Sequence, residues 1–360
     1  MLWKVTEKDQ LVKMLSVSSN EKQNSLAKEA DSVRKRFVGD KIYFRGIIEF
    51  SNICEKDCLY CGIRKSNSNV TRFMMTEQDI MKCARWAFAN GYGSIVLQSG
   101  ESTSPAFLDF LIKVVQDIKK ETGRTDPRGN GLGITLCVGE QKKKTYEEFF
   151  QAGAHRYLLR IETSNPELYK QLHPPECSFG NRVRCLEHLR EIGYQVGTGV
   201  MIGLPGQTIE DLVDDIFFYK DIDADMIGMG PYIPHAETPL SVYAGKWNAR
   251  RDELLRLSLR MVAATRLLLK DVNIAATTAM QVLHPRGREI AFEYGANIIM
   301  PILTPTRFRK DYSLYDGKPC IDENAKQCKE CIAERIRSIG RNVGWNDFGD
   351  SPHFHTRVGK

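Results

Sequence analysis

No stretch of the 360 residues approaches the roughly 18 uncharged apolar residues of a membrane span, which argues against a membrane-embedded helix. The opening Met1-Leu2-Trp3-Lys4-Val5-Thr6-Glu7-Lys8-Asp9 lacks the apolar core of a signal peptide, so the expected compartment is the cytoplasm. An excess of one charge sign is also missing. Lys+Arg 51 against Asp+Glu 45 leaves +6, scattered along the chain, too mild an electrostatic footprint for nucleic acid. Lys142-Lys143-Lys144 reads as a solvated helix entrance rather than a phosphate-binding patch. The histidines at 155, 173, 188, 235, 284, 353 and 355 form no compact ligand set. Only His235, in PYIPHAETP, draws notice, and a loop-orienting hydrogen bond is its expected job. His353 and His355 fall in a tail expected to fray. With 42% apolar and 27% charged residues, the composition is that of a globular protein, long enough for one large α/β barrel or two ordinary domains.

Cysteine is what the chain does have. A reducing compartment disfavours disulfides, so clustered cysteines there point to metal ligation. Six of the ten fall into two tight groups: Cys54, Cys58 and Cys61, then Cys320, Cys328 and Cys331. The other four, Cys83, Cys137, Cys177 and Cys185, stand apart and are expected to be small buried hydrophobes.

From about residue 41 a unit repeats in which a short apolar run precedes a segment of helical period. The expected strands are 42–50, 94–100, 133–139, 155–162, 195–203, 226–233, 273–279 and 296–302. Helices are expected at 77–89 after Thr76, at 105–120 from Pro105, and beyond Thr145, which forms a capping box with Glu148. Others follow Ser178 (178–192) and Thr208 (208–222), with a long one at 249–270 and a short one at 286–294. Helices interposed between buried strands force parallel neighbours, and eight such units match an α/β fold of the complete (β/α)8 TIM-barrel type. A doubly wound open sheet has the same periodicity and stays open as an alternative; in both, chemistry sits at the C-terminal strand ends. Residues 1–40 read as an N-terminal helical cover with Leu26, Val33 and Phe37 on one side. The barrel is expected to occupy 41–303, and 304–360 to form a C-terminal extension carrying the second cysteine group. Residues 122–131 read as a surface loop.

Cys54-x-x-x-Cys58-x-x-Cys61 directly follows the first expected strand. Three cysteines on a cubane 4Fe–4S cluster leave one iron without a protein ligand, free to bind a small molecule. The competing reading is an incomplete zinc site that borrows a distant histidine. With Tyr60 before the last cysteine, the motif resembles that of the radical SAM superfamily. The resemblance implies that S-adenosylmethionine (SAM) chelates the open iron and is cleaved by one electron to methionine and a 5′-deoxyadenosyl radical, in a chamber closed to water. Ser99-Gly100-Glu101, ending the second strand, resembles the motif that holds the methionyl amine. The run Gly199-Val200-Met201-Ile202-Gly203-Leu204-Pro205-Gly206 resembles the motif that packs against adenine.

Together with Cys320-x7-Cys328-x-x-Cys331, the stretches IIEFSNICEKDCLYCGIR, IVLQSGE, RYLLRIETSNPELYKQL, MIGLPGQTIEDLVDD, GMGPYIPHAETPL, IAATTAM and GANIIMP resemble the HydE family of FeFe-hydrogenase maturases over nearly all of residues 40–345. The family implies a substrate that is an iron–carbonyl–cyanide complex of cysteine, delivered by a partner maturase, with an electron donor for the cluster. Carried over by motif, Tyr60, Glu101, Glu162, Arg182, Met201, Gly203 and Leu204 are SAM contacts; Glu162 would receive a cationic or hydroxyl group and Arg182 a carboxylate. Arg45, Gln98, Thr135, Arg160, Thr277, Thr278, Tyr312 and Tyr315 resemble the polar lining that binds an anionic cysteine-like substrate, arginine giving bidentate carboxylate recognition. Met226 and Met300 are expected as core packing near the cavity wall. For the second cysteine trio the resemblance implies an accessory Fe–S cluster, variable in the family and not required for the main reaction; a vestigial or zinc-binding site is the alternative. The chain departs from the family in Ile161, where a histidine is common, and in the longer 122–131 loop. A second reading is radical chemistry on a small amino acid, of the methylornithine synthase or biotin synthase kind. A third is an Fe–S carrier or scaffold without turnover, which would form no 5′-deoxyadenosine and would need no SAM pocket.

Overall fold

The computed structural model describes residues 3, 7–126 and 129–359. Residues 1, 2, 4–6, 127, 128 and 360, which include parts of the opening segment and of the 122–131 stretch, lie outside the described residues. Eight parallel strands carry the fold: β1 Lys41–Ser51, β2 Ser94–Ser99, β3 Gly133–Cys137, β4 Arg156–Leu158, β5 Gln195–Thr198, β6 Met226–Ile227, β7 Asn273–Ile274 and β8 Ile298–Ile299. Their order is β8-β1-β2-β3-β4-β5-β6-β7. A parallel bridge between Ala275 and Ile298 joins the two ends of that order, and the Ala276 N–H donates to Ile298 O at 2.9 Å.

Alternation along β1 shows how the sheet sorts its side chains. Ile42, Phe44, Ile48 and Phe50 belong to the main hydrophobic core, whereas Ile47 and Glu49 line an interior cavity. Several strands are shorter than the apolar runs suggest. The run 155–162 is a strand only over Arg156–Leu158, and further on Glu162 turns left-handed with φ 68. The runs 195–203 and 226–233 each break, and their second halves, Met201–Ile202 and Gly230–Pro231, pair with each other. Hydrophobicity persists through such breaks because the backbone stays buried there.

The helices correct several expectations. Pro105 opens a helix that runs to Thr125, past the expected end at 120 and into the stretch read as loop. The Thr145–Glu148 capping box is absent, because the helix starts earlier, at Lys143 after Lys142, and Thr145 lies inside it. Capping boxes form instead at Thr208/Asp211 and Asn324/Gln327. The N-terminal segment is two helices, Lys8–Leu15 and Asn20–Phe37, the second started by the Ser19 hydroxyl accepting from the Lys22 N–H. Both pack on the long Arg251–Leu268 helix; Leu26 and Val33 are buried, but Phe37 is exposed. No helix among the described residues is long and apolar enough to cross a membrane.

Beyond residue 303, the helix Ala325–Ser338 leads to β9 Asn342–Val343, which pairs in parallel with the start of β1, and then to a helix at Pro352–Val358. Between these last two elements the chain crosses the N-terminal ends of the strands. Gly349 O accepts from Arg45 Nη2 and from Asn273 Nδ2, each at 2.9 Å, and Phe348 O accepts from Arg156 Nη2 at 2.7 Å. Asp350 pairs with Arg156 and accepts from Gln195 Nε2 at 2.7 Å. The tail expected to fray is thus fastened, and His353 adds contacts to Asp223 at 2.5 Å and Asp271 at 3.3 Å.

Candidate active site

At the opposite, C-terminal ends of the strands lies a cavity of about 350 Å³. The loop after β1 brings Cys54, Cys58, Tyr60 and Cys61 to it, and the end of β2 adds Ser99, Gly100 and Glu101. Main-chain bonds shape this loop. Glu55 N–H donates to Glu101 O at 2.8 Å, Gly62 N–H to Leu314 O at 3.0 Å, and Glu101 N–H to Cys54 Sγ at 3.4 Å. Arg72 gathers loop carbonyls, donating to Asn52 O and Ile63 O at 2.8 Å and Arg64 O at 2.6 Å. Gly100 permits the closeness: a Cβ there would lie 2.3 Å from Ile53 O and 2.8 Å from Cys54 Cβ. Gly139, at φ +80, does the same for Glu101, whose Oε2 would lie 2.2 Å from its Cβ.

Burial raises the thiols of Cys54 and Cys58, and pushes Cys61 up to about 12; the neighbouring sulfurs oppose ionisation of Cys58 and Cys61 further, and Glu101 opposes that of Cys54. Only a cation at the site reverses that balance, since a coordinating thiol is deprotonated by its metal. Among the described residues no three His, Cys, Asp or Glu side chains converge on a single ion. A cubane presents its irons at separate corners, so ligands that serve it need not converge, whereas a single zinc needs its ligands around one point.

Charged groups surround the sulfurs. Lys56, between two of the cysteines, lies 3.2 Å from Glu101 and 3.8 Å from Glu140, and Arg182 Nε lies 2.7 Å from Glu140 Oε1. Arg160 is 3.0 Å from Glu162 and donates to Val200 O at 2.9 Å. Several of these ion pairs are close but not aligned for hydrogen bonding, so Glu101 Oε1, Glu162 Oε2, Arg182 Nε and Arg160 Nε keep unfilled hydrogen-bonding capacity. Burial raises Glu101 and Glu162 above their ordinary value, although Arg182 and Lys56 lower Glu101, and Arg160 and then Arg182 lower Glu162. Two buried acceptors and a guanidinium beside three thiols fit a ligand that carries ammonium, hydroxyl and carboxylate groups, as SAM does.

Of the other sequence-derived candidates, Gln98, Arg160, Thr277, Thr278, Tyr312, Tyr315 and Met201 line this cavity, as does Met300. Arg45 and Thr135 do not. They lie lower in the barrel, where Arg45 meets Gly349 and Met226, because inward-facing strand positions recur at every layer and the sequence does not mark depth. Met226 is likewise below the cavity. Gly203 and Leu204 border an adjoining pocket of about 330 Å³ and donate their N–H groups to Gln207 Oε1 at 2.7 and 3.2 Å. Cys320 and Cys328 are neighbours outside the cavity, and Cys331 is exposed. Sequence reasoning missed Glu49, Lys56, Cys137, His173 and Lys318. Cys137, expected as inert packing, lines the cavity. The dipeptide Gly-Glu after both β2 and β3 was a usable signal for Glu140. His235 packs against Gly62, and its Nδ1 accepts from the Glu237 N–H at 3.2 Å, the loop-orienting role expected.

A barrel-like parallel sheet with three cysteines in its first loop defines a class. Residues 48–219 match the family model of the Radical SAM superfamily, and the chain is an enzyme of that superfamily, which implies a 4Fe–4S cluster and SAM as cofactors. The FeFe hydrogenase maturase subunit HydE of Thermotoga maritima is 46% identical over 340 residues, 94% of this chain and 92% of that protein. The chain belongs to this HydE family of radical SAM maturases. The 3-methylornithine synthase of Methanosarcina acetivorans is 26% identical, covering 92% of this chain and 89% of its own. The crystal structure of methylornithine synthase superposes with a TM-score of 0.80 at 22% identity, covering 96% and 95% of the two chains, and that of the maturase HydG with 0.73 at 18%, covering 94% and 72%. At these identities both show the fold alone.

Proposed function

We propose that this enzyme acts on a cysteine-bound iron–carbonyl–cyanide complex, or a closely related thiol amino acid, in the maturation of an FeFe hydrogenase. The observation that carries the reading is the shared cavity: the three front thiols, Glu101, Glu162 and Arg182 open onto the same space as Gln98, Arg160, Thr277, Thr278, Tyr312 and Tyr315. When bound, the cluster and SAM supply a 5′-deoxyadenosyl radical. In this reading the chain's residues do the rest. Cys54, Cys58 and Cys61 would hold the cluster; Glu101 would receive the methionyl ammonium, Glu162 a cationic or hydroxyl group and Arg182 the carboxylate. Tyr60, Ser99, Gly100 and Met201 close around SAM, and Gly203 and Leu204 shape the adjoining loop. Arg160, with Gln98, the threonines and the tyrosines, orients the anionic substrate; Arg45 and Thr135 set the charge and polarity beneath it. Buried walls exclude water from the reacting atoms.

The same reading treats the barrel as complete, supported by the Ala275–Ile298 bridge. It divides the chain into a helical cover at 1–40, a barrel at 41–303 and an extension at 304–360. The back trio Cys320, Cys328 and Cys331 would hold an accessory Fe–S cluster. A partner maturase delivers the substrate and a separate protein donates electrons. Ten free thiols suit the reducing cytoplasm.

Anaerobic reconstitution with iron and sulfide, then SAM and dithionite, tests the core of the proposal. Wild type is expected to form 5′-deoxyadenosine and Cys58→Ala none. No product from a fully loaded wild type would favour an Fe–S carrier instead.

A further inference from the structure

Glu49 and Lys318 form an ion pair in the cavity wall that the reading above does not use. Glu49 sits near the end of β1, opposite Gln98 of β2 in register, and Lys318 comes from the extension. Both side chains are almost wholly buried, at 4% and 6% exposure, yet both line the cavity. Lys318 Nζ donates to Glu49 Oε1 at 2.6 Å and to Tyr312 O at 2.8 Å, and lies 5.1 Å from the centre of the Tyr312 ring. Gln98 Nε2 donates to the Tyr312 hydroxyl at 3.1 Å. Lys318 is therefore occupied on several sides, whereas Glu49 Oε2 is buried and accepts no hydrogen bond. A carboxylate oxygen left without a donor in a low-dielectric wall is costly, and a donor arriving with a ligand removes the cost.

We propose that Glu49 Oε2 accepts the α-ammonium group of the substrate, so that the cavity selects an amino acid rather than its deaminated analogue. This rests on the amino-acid-bearing substrate of the preceding section and adds the residue that reads its amine. Arg160, whose Nε also lacks an acceptor, lies on β4's extension and takes the anionic end. Lys318 keeps Glu49 in place, and Tyr312 and Gln98 keep Lys318 in place. A purely structural clasp between β1 and the extension would tie the two segments equally well but would give no preference for an amine.

The reconstituted holoenzyme with SAM separates the two by calorimetric titration. The probes are S-methyl-L-cysteine and 3-(methylthio)propionate, which differ only in the amine, with L-lysine and 6-aminohexanoate as a second such pair. Wild type is expected to favour the amino acid by about tenfold or more, the range of a hydrogen bond to a charged group. Glu49→Gln should abolish that preference. Glu49→Gln/Lys318→Met, which leaves no unpaired charge in the wall, should do the same and guards against misfolding of the single variant. A preference that survives in either folded variant overturns the assignment. If wild type prefers L-lysine but binds neither sulfur compound, the thiol-substrate reading fails and the Glu49 assignment stands. If it binds no amino acid of either pair, the Glu49 assignment fails, while 5′-deoxyadenosine formation in the same sample still judges the radical SAM reading.

Discussion

The Tyr60 hydroxyl lies 3.2 Å from His173 Nε2, and the other ring nitrogen of His173 lies 2.9 Å from Tyr169 O. A carbonyl can only accept, so the proton is assigned to Nδ1, and Nε2 accepts from Tyr60. Burial pushes His173 down to about 4, which keeps the ring neutral at ordinary pH. The aromatic residue beside Cys61 is thereby held by a histidine from the far side of the barrel. His173→Phe is expected to shed its cluster several-fold faster than wild type in a chelator challenge followed by visible absorbance, with His173→Gln intermediate. Because burial holds the folded value below the ordinary 6.5, the fold favours the neutral ring: the associated stability is complete above pH 6.5 and is lost as pH falls towards 4.

Gly100→Ala places a methyl group against Ile53 O and the Cys54 side chain. Both neighbours belong to the cysteine loop, so that loop must move. We expect an unchanged circular dichroism spectrum but iron incorporation reduced by about tenfold or more, since ligand geometry tolerates little displacement. Full incorporation in Gly100→Ala would show that the loop yields freely.

Asp215, in the helix Ile209–Asp221, accepts from Ser164 N–H at 2.6 Å and Ser164 Oγ at 2.7 Å, just after the left-handed Glu162. Its second oxygen has no donor, and burial raises it to about 7. A carboxyl raised on folding favours the protonated fold: its stabilising effect is complete below the ordinary 3.8 and disappears as pH rises through 7. Asp215→Asn keeps an acceptor for Ser164 without the charge. Its melting temperature relative to wild type should climb between pH 4 and 7 and level off above that. A difference independent of pH would mean Asp215 is already neutral or better solvated.

In the back cysteine group, the neighbouring Cys320 thiol lowers Cys328, and Cys328 in turn raises Cys320. Replacing Cys320, Cys328 and Cys331 together by serine should lower iron and sulfide content while leaving 5′-deoxyadenosine formation within about twofold of wild type. Loss of that activity would make the accessory site part of the main reaction.

Contiguous spacing made the front site legible. Cys54, Cys58 and Cys61 fall within one loop, and Ser99-Gly100-Glu101 is a single run at a strand end, so local order translates directly into proximity. The parallel α/β architecture was equally readable from the repeated unit. What escaped were pairings between distant segments. Glu49 meets Lys318 and Tyr60 meets His173 only after the barrel has formed, and no local pattern announces either. Arg45 and Thr135 escaped for another reason: β-strand alternation tells inward from outward, not the cavity from the layer beneath it. The Thr145 capping box failed because a sequence match at a helix start competes with the packing that decides where the first turn begins.

The closure of the barrel's lower end by residues 348–350 has a consequence for how the chain is made. Arg45 and the carbonyl it engages at Gly349 are separated by 304 residues. At translation rates of about 5–20 residues per second, roughly 15–60 s pass between the synthesis of one and the other. Throughout that interval the β1 guanidinium has no such acceptor, and the three front cysteines, which follow Arg45 closely in the chain, are made early in it. The thiols therefore meet the cell before the scaffold that shelters them can be finished, and slow elongation late in the message would lengthen their exposure to oxygen and stray metals.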